Sequence, residues 1–226
     1  DSKSITSLKL RAGWGQTGQQ DMNYNYFPYL PTYLGSNVGS SYYFGNTAYS
    51  PVSPLFYTTL LKWETVTSTN FGVDFELFKK VKGSLDIFQK ETQELLAKGV
   101  PYPDGANLSN NGPRNFGNLI IQGVEFNLNA DIINTNNFNW NLNFNTNFQR
   151  REITATAVDG TDSPGIPWWG IAGGIGNNIQ MQSTGFAPSS FYVYEQVYGT
   201  DGKPIEGAFV DRNEDGIINS KDMYHH

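Results

Sequence analysis

Phe138-Asn139-Trp140-Asn141-Leu142-Asn143-Phe144-Asn145-Thr146-Asn147-Phe148 decides how the rest of the chain is read. Aromatic or aliphatic side chains at 138, 140, 142, 144 and 148 alternate with the amides of Asn139, Asn141, Asn143, Asn145 and Asn147. Successive side chains of a strand point to opposite faces, so one face is an apolar stripe and the other a ladder of amides. A period of two excludes an amphipathic helix. The length, ~11 residues, exceeds the usual ~5–6 of a soluble strand and matches the ~9–11 that cross a bilayer at a tilt. Taken alone, the stretch fits either a membrane-barrel strand or a long, half-buried strand of a soluble antiparallel sheet.

Upstream, the polar turn Asn134 to Asn137 joins it to a second alternating stretch, about 115–132. There Val124, Phe126, Leu128, Ala130 and Ile132 oppose Glu125, Asn127, Asn129 and Asp131, so the two make a long hairpin with matched faces. Further strands are predicted over about 62–78, with Val73, Phe75 and Leu77 against Gly72, Asp74 and Glu76, and over about 84–96, with Leu85 and Ile87 against Asp86 and Phe88. The alternation weakens towards Leu96. Between these two, Lys79-Lys80-Val81-Lys82-Gly83 reads as a tight basic turn with Gly83 supplying the positive φ. The first strand, about 5–15, sets Leu8, Leu10, Ala12 and Trp14 against Lys9 and Arg11. After the opening stretch, which runs over about 138–150, a third long connection begins.

The connections alternate long and short. Residues 16–61, 97–114 and 151–188 form long, turn-rich segments, and an outer hairpin with an Asp-rich loop occupies about 189–226. Outer-membrane barrels have short periplasmic turns and long extracellular loops, whereas a soluble meander has no reason to sort its loops by side. The reading is all-β: a segment of a large antiparallel transmembrane β-barrel with long extracellular loops, residues 1–226 being part of one barrel domain. The strands at Ile5 and Phe138 then run outward, and the basic turn is periplasmic. The remaining alternative is a soluble extracellular β-sandwich, a carbohydrate-binding or adhesin domain with a calcium loop.

Composition narrows the partners. Charged residues are 16% of the 226, below the ~25% of an average soluble domain, and Gly and aromatics are abundant. The net charge of −6 comes with no basic stripe, which removes nucleic acid as a partner. With no Cys, disulfides, thiolate metal sites and cysteine nucleophiles are excluded. No apolar run reaches the ~18 residues of a transmembrane helix, and the first residues lack signal-peptide character. Because it opens almost directly on a strand pattern, the chain is expected to be a fragment of something longer.

Several blocks resemble a family. They are Leu8-Lys9-Leu10-Arg11-Ala12-Gly13-Trp14-Gly15-Gln16-Thr17-Gly18; Lys62-Trp63-Glu64 followed by Asn70-Phe71-Gly72-Val73-Asp74-Phe75; Gly83 with Asp86, Lys90, Thr92, Glu94-Leu95-Leu96 and Val100-Pro101; and Asn115-Phe116-Gly117 with Gly123-Val124-Glu125. In order and spacing the chain is similar to SusC/RagA-type TonB-dependent outer-membrane transporters. Ile120-Ile121-Gln122 departs from the family's more polar lead-in. The resemblance implies a 22-stranded barrel of which this is a portion towards the C-terminal end, with the plug domain and TonB-contacting segment upstream of these residues. It also implies a non-enzymatic function: import of oligosaccharides or peptides with a SusD-like surface lipoprotein, energised through TonB, in an outer membrane whose lipid faces the apolar side.

Candidate site residues are few. In Asp211-Arg212-Asn213-Glu214-Asp215-Gly216-Ile217-Ile218-Asn219-Ser220-Lys221-Asp222, oxygen ligands at positions one, three, five and twelve (Asp211, Asn213, Asp215, Asp222) with Gly at six fit a Ca²⁺ loop. Asp222 stands where the bidentate Glu would be, and the alternative is an Asx-rich turn bonding its own backbone. Apart from this possible Ca²⁺, no cofactor is required. Tyr42 and Tyr43, within an aromatic run of Tyr24, Tyr26, Phe27, Tyr29, Tyr33 and Phe44, and the pair Trp168 and Trp169 offer stacking faces to a ligand, or else pack on themselves or form an interfacial girdle. Asp74, Glu76, Asp86, Glu125 and Asp131 should project into the lumen, where solvation explains them without catalysis. Gly173-Gly174-Ile175-Gly176 lacks the context of a phosphate loop. His225 and His226 support no catalytic triad, and a fragment end or tag remnant is enough to explain them.

Overall fold

The structure, a computed structural model, describes residues 4–19, 29–35, 41–54, 57, 59–97, 114–156, 164–171 and 174–226. The strands in chain order are β1 (Ile5–Gly18), β2 (Tyr33–Gly35), β3 (Tyr42–Phe44), β4 (Thr47–Tyr49), β5 (Val52–Pro54), β6 (Thr65–Leu77), β7 (Val81–Ala97), β8 (Arg114–Asn134), β9 (Asn139–Thr156), β10 (Ile166–Ile171), β11 (Gly174–Gln182), β12 (Ser190–Tyr194), β13 (Gln196–Tyr198), β14 (Pro204–Phe209) and β15 (Met223–His225). One 3₁₀ turn, Ser220–Asp222, precedes β15. The chain divides into two units, Asp1–Gln149 and Arg150–His226.

The first unit is built on a five-stranded sheet in the order β1-β6-β7-β8-β9, each strand hydrogen-bonded to the next. The β1–β6, β6–β7 and β7–β8 ladders are antiparallel, and their register lines up whole rows of one chemical kind. Leu8–Phe75–Gly83–Leu128, Leu10–Val73–Leu85–Phe126 and Ala12–Phe71–Ile87–Val124 lie on one face. Ser7–Glu76–Lys82–Asn129, Lys9–Asp74–Ser84–Asn127 and Arg11–Gly72–Asp86–Glu125 lie on the other. The apolar face is bare: Leu10 is 75% exposed, Trp14 72% and Phe148 72%, and Trp140, Leu142 and Phe144 are exposed as well. Among the described residues of this unit, Phe116 and Ala130 are the buried hydrophobic side chains. A sheet sandwich would bury this face; here its stabilising solvent has to be something apolar.

The turns differ from the sequence reading in one instructive place. Leu77 O accepts from Lys80 N at 3.0 Å, and the two residues inside that turn, Phe78 (φ 54°) and Lys79 (φ 59°), carry the positive φ values. Gly83 is two residues into β7, opposite Phe75 and Leu128. A Cβ there would meet the Phe75 ring and come within 2.9 Å of Asn127 O. Gly83 is thus a seat for an aromatic ring, and a two-residue turn of this hand is made by side chains for which a left-handed φ costs about 1 kcal/mol or more each. The weakening alternation near Leu96 also has a cause. Glu94 has φ 55°, and the β7–β8 register shifts between Thr92 and Leu95 and again before Leu96, so a bulge interrupts the period of two.

Strands run further than the sequence indicated. β9 continues to Thr156, and within the stretch read as a long loop from residue 16, β2 pairs with β5 and β3 with β4 as two small hairpins. The second unit holds a sheet ordered β10-β11-β12-β15 and the separate hairpin β13–β14. Ile153, Ile166 and Met181 are its buried hydrophobic residues among those described.

Candidate functional site

The polar face is an organised surface. Arg11 reaches from β1 across β6 to β7: its Nε and Nη2 donate to the two oxygens of Asp74 at 3.0 and 2.8 Å, and Nη2 also donates to Asp86 at 2.9 Å. What lets it reach is Gly72, which sits between Arg11 and Asp86 in the register; a Cβ there would lie 2.8 Å from the guanidinium carbon. Lys82 pairs with Glu76 at 3.7 Å, Asn147 donates to Glu125 at 3.1 Å, and Asn141 donates to Asp131. All five carboxylates anticipated on this face are therefore partnered, three of them by cations and two by the amide ladder of β9. Two open depressions of about 530 and 550 Å³ lie along the strands, the first bordered by Asp74, Lys82 and Asn127, the second by Arg11, Asn70 and Phe88.

Beyond the sheet's apolar rows, separate sequence blocks meet in one knot. Asn115 Nδ2 donates to Glu94 O at 2.7 Å and to Lys62 O at 3.0 Å, while its Oδ1 accepts from Lys62 N at 2.9 Å. Lys62 Nζ pairs with Glu94 at 2.7 Å, Glu64 accepts from Leu96 N at 2.8 Å, and Asn118 accepts from Glu94 N at 3.1 Å. A bulge frees backbone groups from the ladder, and these side chains occupy them.

The predicted ligand contacts belong to separate elements, β3 and β10. Tyr42 (67% exposed) and Tyr43 (68%) are on β3, with Phe44 against Tyr49 edge-on at 5.6 Å. Tyr24, Tyr26 and Phe27 lie outside the described residues. Trp168 is half-buried on β10, opposite Gln180; the side chain of Trp169 lies outside the described residues, as do those of Gly174 to Gly176.

The Asp-rich loop is closed by its own backbone. Asp211 accepts from Asp215 N at 3.2 Å and Gly216 N at 2.7 Å, Asn213 from Asp215 N at 3.2 Å, and Asp215 from Ile217 N at 2.8 Å. Asp222 is fully buried (0% exposed) and takes Arg212 N at 3.0 Å on one oxygen and Asn219 N at 2.8 Å on the other, completing a capping box. The amides of Asn219, Asn213 and Arg212 hold its carboxyl below the ordinary 3.8. Among the described residues no three His, Cys, Asp or Glu side chains converge as metal ligands would. His225 is no loose end: it is on β15, stacked on Phe186 at 3.7 Å, tilted against Tyr192 at 4.9 Å and bonded through Nδ1 to Ser190 Oγ at 3.0 Å. Its register partner is Tyr192, and burial pushes its pKa below 6.5. A position at the end of a sequence hides such packing, which only the β12–β15 pairing reveals.

Comparison with known proteins is decisive for the family. Residues 4–205 match the model of the TonB dependent receptor-like β-barrel. The chain belongs to the TonB-dependent receptor β-barrel family. It is 41% identical over 227 residues to TonB-dependent receptor SusC of Bacteroides thetaiotaomicron, covering 99% of this chain and 22% of that protein. TonB-dependent receptor P3 of Formosa agariphila is 29% identical over 204 residues, covering 86% of the chain and 19% of that receptor. Among solved structures, the RagAB peptide importer in its open-open state superposes with a TM-score of 0.68 at 20% identity, over 93% of this chain and 22% of that one. This TonB-dependent receptor segment thus spans about a fifth of the length of the proteins it matches. The family is one of outer-membrane receptors and transporters, and the two-faced sheet is a segment of a barrel wall with bare apolar rows on one face.

Proposed function

We propose that the segment forms wall and outer rim of an outer-membrane active transporter that imports oligosaccharides or peptides, takes energy from TonB and works with a SusD-like surface lipoprotein. One observation carries the reading: a meander with apolar rows on one side and, on the other, a continuous polar surface of paired charges and amides. Such a surface is wetted along its length, yet the five carboxylates described on it are all partnered and not free to grip a passing solute, which suits a conduit more than a trap. Similarity to SusC supports TonB dependence, and the peptide importer of the same fold keeps peptides beside oligosaccharides as substrates. Recognition is assigned to the long outer loops, with Tyr42, Tyr43, Trp168 and Trp169 as stacking faces.

Deleting the full-length transporter and measuring uptake of neutral hexasaccharides and of a peptide digest tests this. Loss of one class, reproduced by removing TonB, is expected; unchanged uptake of both sinks it. Ca²⁺ is assigned to Asp211, Asn213, Asp215 and Asp222, whose oxygens accept from the loop's own amides and would exchange those bonds for the ion. Isothermal titration with CaCl₂ decides: saturable heat that vanishes in Asp211→Asn establishes the ion, and a flat trace removes it.

A further inference from the structure

The turn between β6 and β7 breaks a local rule. Two-residue hairpin turns with positive φ at both central positions favour Asn-Gly, because a Cβ is disfavoured there. This turn carries Phe78 and Lys79 instead. It is not loose: Phe78 N donates to Ser4 O at 2.9 Å and Lys79 N to Thr6 Oγ1 at 3.2 Å on the β1 side, while Lys80 O accepts from Asp131 N at 2.9 Å on the β8 side. The disfavoured residues are held rigidly and displayed. Phe78 is 60% exposed, and Lys79 and Lys80 are exposed with no ion pair among the described residues, the carboxylate of Asp131 being taken by Asn141 and that of Glu76 by Lys82. The other turn at this end of the sheet, closed by Thr135 on Phe138, carries amides and no cation.

An exposed ring beside two unpaired ammonium groups sits where the apolar rows end, at Leu77, Val81 and Ala130. Outer-membrane barrels carry girdles of aromatic residues at the boundary between hydrocarbon and headgroups, and lysines there attract anionic lipid. We propose that the Phe78-Lys79-Lys80 turn is a binding site for the phosphate headgroup of an anionic phospholipid in the inner leaflet, with the ring seated beside the acyl chains. The site rests on the barrel-wall reading.

The test uses the full-length receptor in nanodiscs of phosphatidylcholine, with and without phosphatidylglycerol, reading the unfolding midpoint and the phosphatidylglycerol retained in native mass spectra. The wild type should be stabilised by phosphatidylglycerol, and Lys79→Gln with Lys80→Gln should lose retention, roughly fivefold per lysine. Phe78→Asn with Lys79→Gly should unfold at a higher temperature in phosphatidylcholine, its turn now being relaxed, yet retain less phosphatidylglycerol. Wild-type retention in either variant overturns the site, as does a wild type indifferent to phosphatidylglycerol. An equal effect of inorganic phosphate in phosphatidylcholine discs also overturns it, showing a free-anion site. Extraction by alkaline carbonate reports separately: a receptor that washes off the membrane defeats the barrel-wall reading, whereas one that stays but ignores phosphatidylglycerol defeats only this site.

Discussion

Asp222 and His225 are three positions apart, and acid acts on each for a different reason. Burial against Phe186 and Tyr192 disfavours the imidazolium of His225, so its folded pKa lies below 6.5 and the unfolded chain takes the proton first. Its contribution to stability is complete above pH 6.5 and is lost as pH falls through the lower folded value. Asp222 is held as a carboxylate by three amides, so its contribution is complete above 3.8 and is lost only as pH falls below that. An unfolding series against pH on the full receptor should show two separate losses for this unit. His225→Phe, which keeps the ring, should erase the upper one and Asp222→Asn the lower; a single loss unaffected by His225→Phe refutes the assignment. Neither role was legible beforehand. Spacing marks Asp222 as an oxygen at the twelfth position of a loop, but it does not report that the amides of Arg212 and Asn219 bond that oxygen pair. Gly83 looked like turn chemistry because a glycine near a turn and a glycine under a ring are the same letter, and only the register with Phe75 separates them.

The bulge in β7 shows how one irregularity collects its own partners. Glu94 steps out of the ladder, and Lys62, Glu64, Asn115 and Asn118 bond what it and its neighbours expose. Asn115 is the hub, since it serves backbone groups of both Lys62 and Glu94. Asn115→Ala should cost roughly 1–2 kcal/mol in urea unfolding, with faster amide exchange at Lys62; Asn115→Asp should recover little, because it cannot donate. A loss no larger than for Asn118→Ala would show that the hub is misplaced. The five long strands could be read from their letters because both faces are chemically uniform over many residues. The three-residue strands β2 to β5 could not, as two alternations carry no period. The knot was visible only as separate blocks, because Lys62 and Asn115 are far apart in sequence and meet through the order β6-β7-β8.

Across the whole sheet, β9 sets the height of the exposed apolar band. Ten steps from Phe138 to Phe148 at ~3.3 Å, tilted by about 40°, rise roughly 25 Å, the height expected of an outer-membrane barrel's apolar belt. Phe144 lies near its middle, beside Phe126 at 6.3 Å between ring centres. Phe144→Arg should cost about 2–4 kcal/mol in folding into lipid vesicles, whereas Asn143→Arg, one residue away on the opposite face, should cost far less; equal costs would mean that the faces are misassigned. β8 does not stop where that band stops. From Val124, in the last apolar row, it runs on as paired strand to Arg114, roughly another 25 Å of rise. The hydrogen-bonded wall therefore extends about as far past the apolar rows as those rows are tall, so its outer half is kept straight by backbone pairing and not by any greasy surroundings.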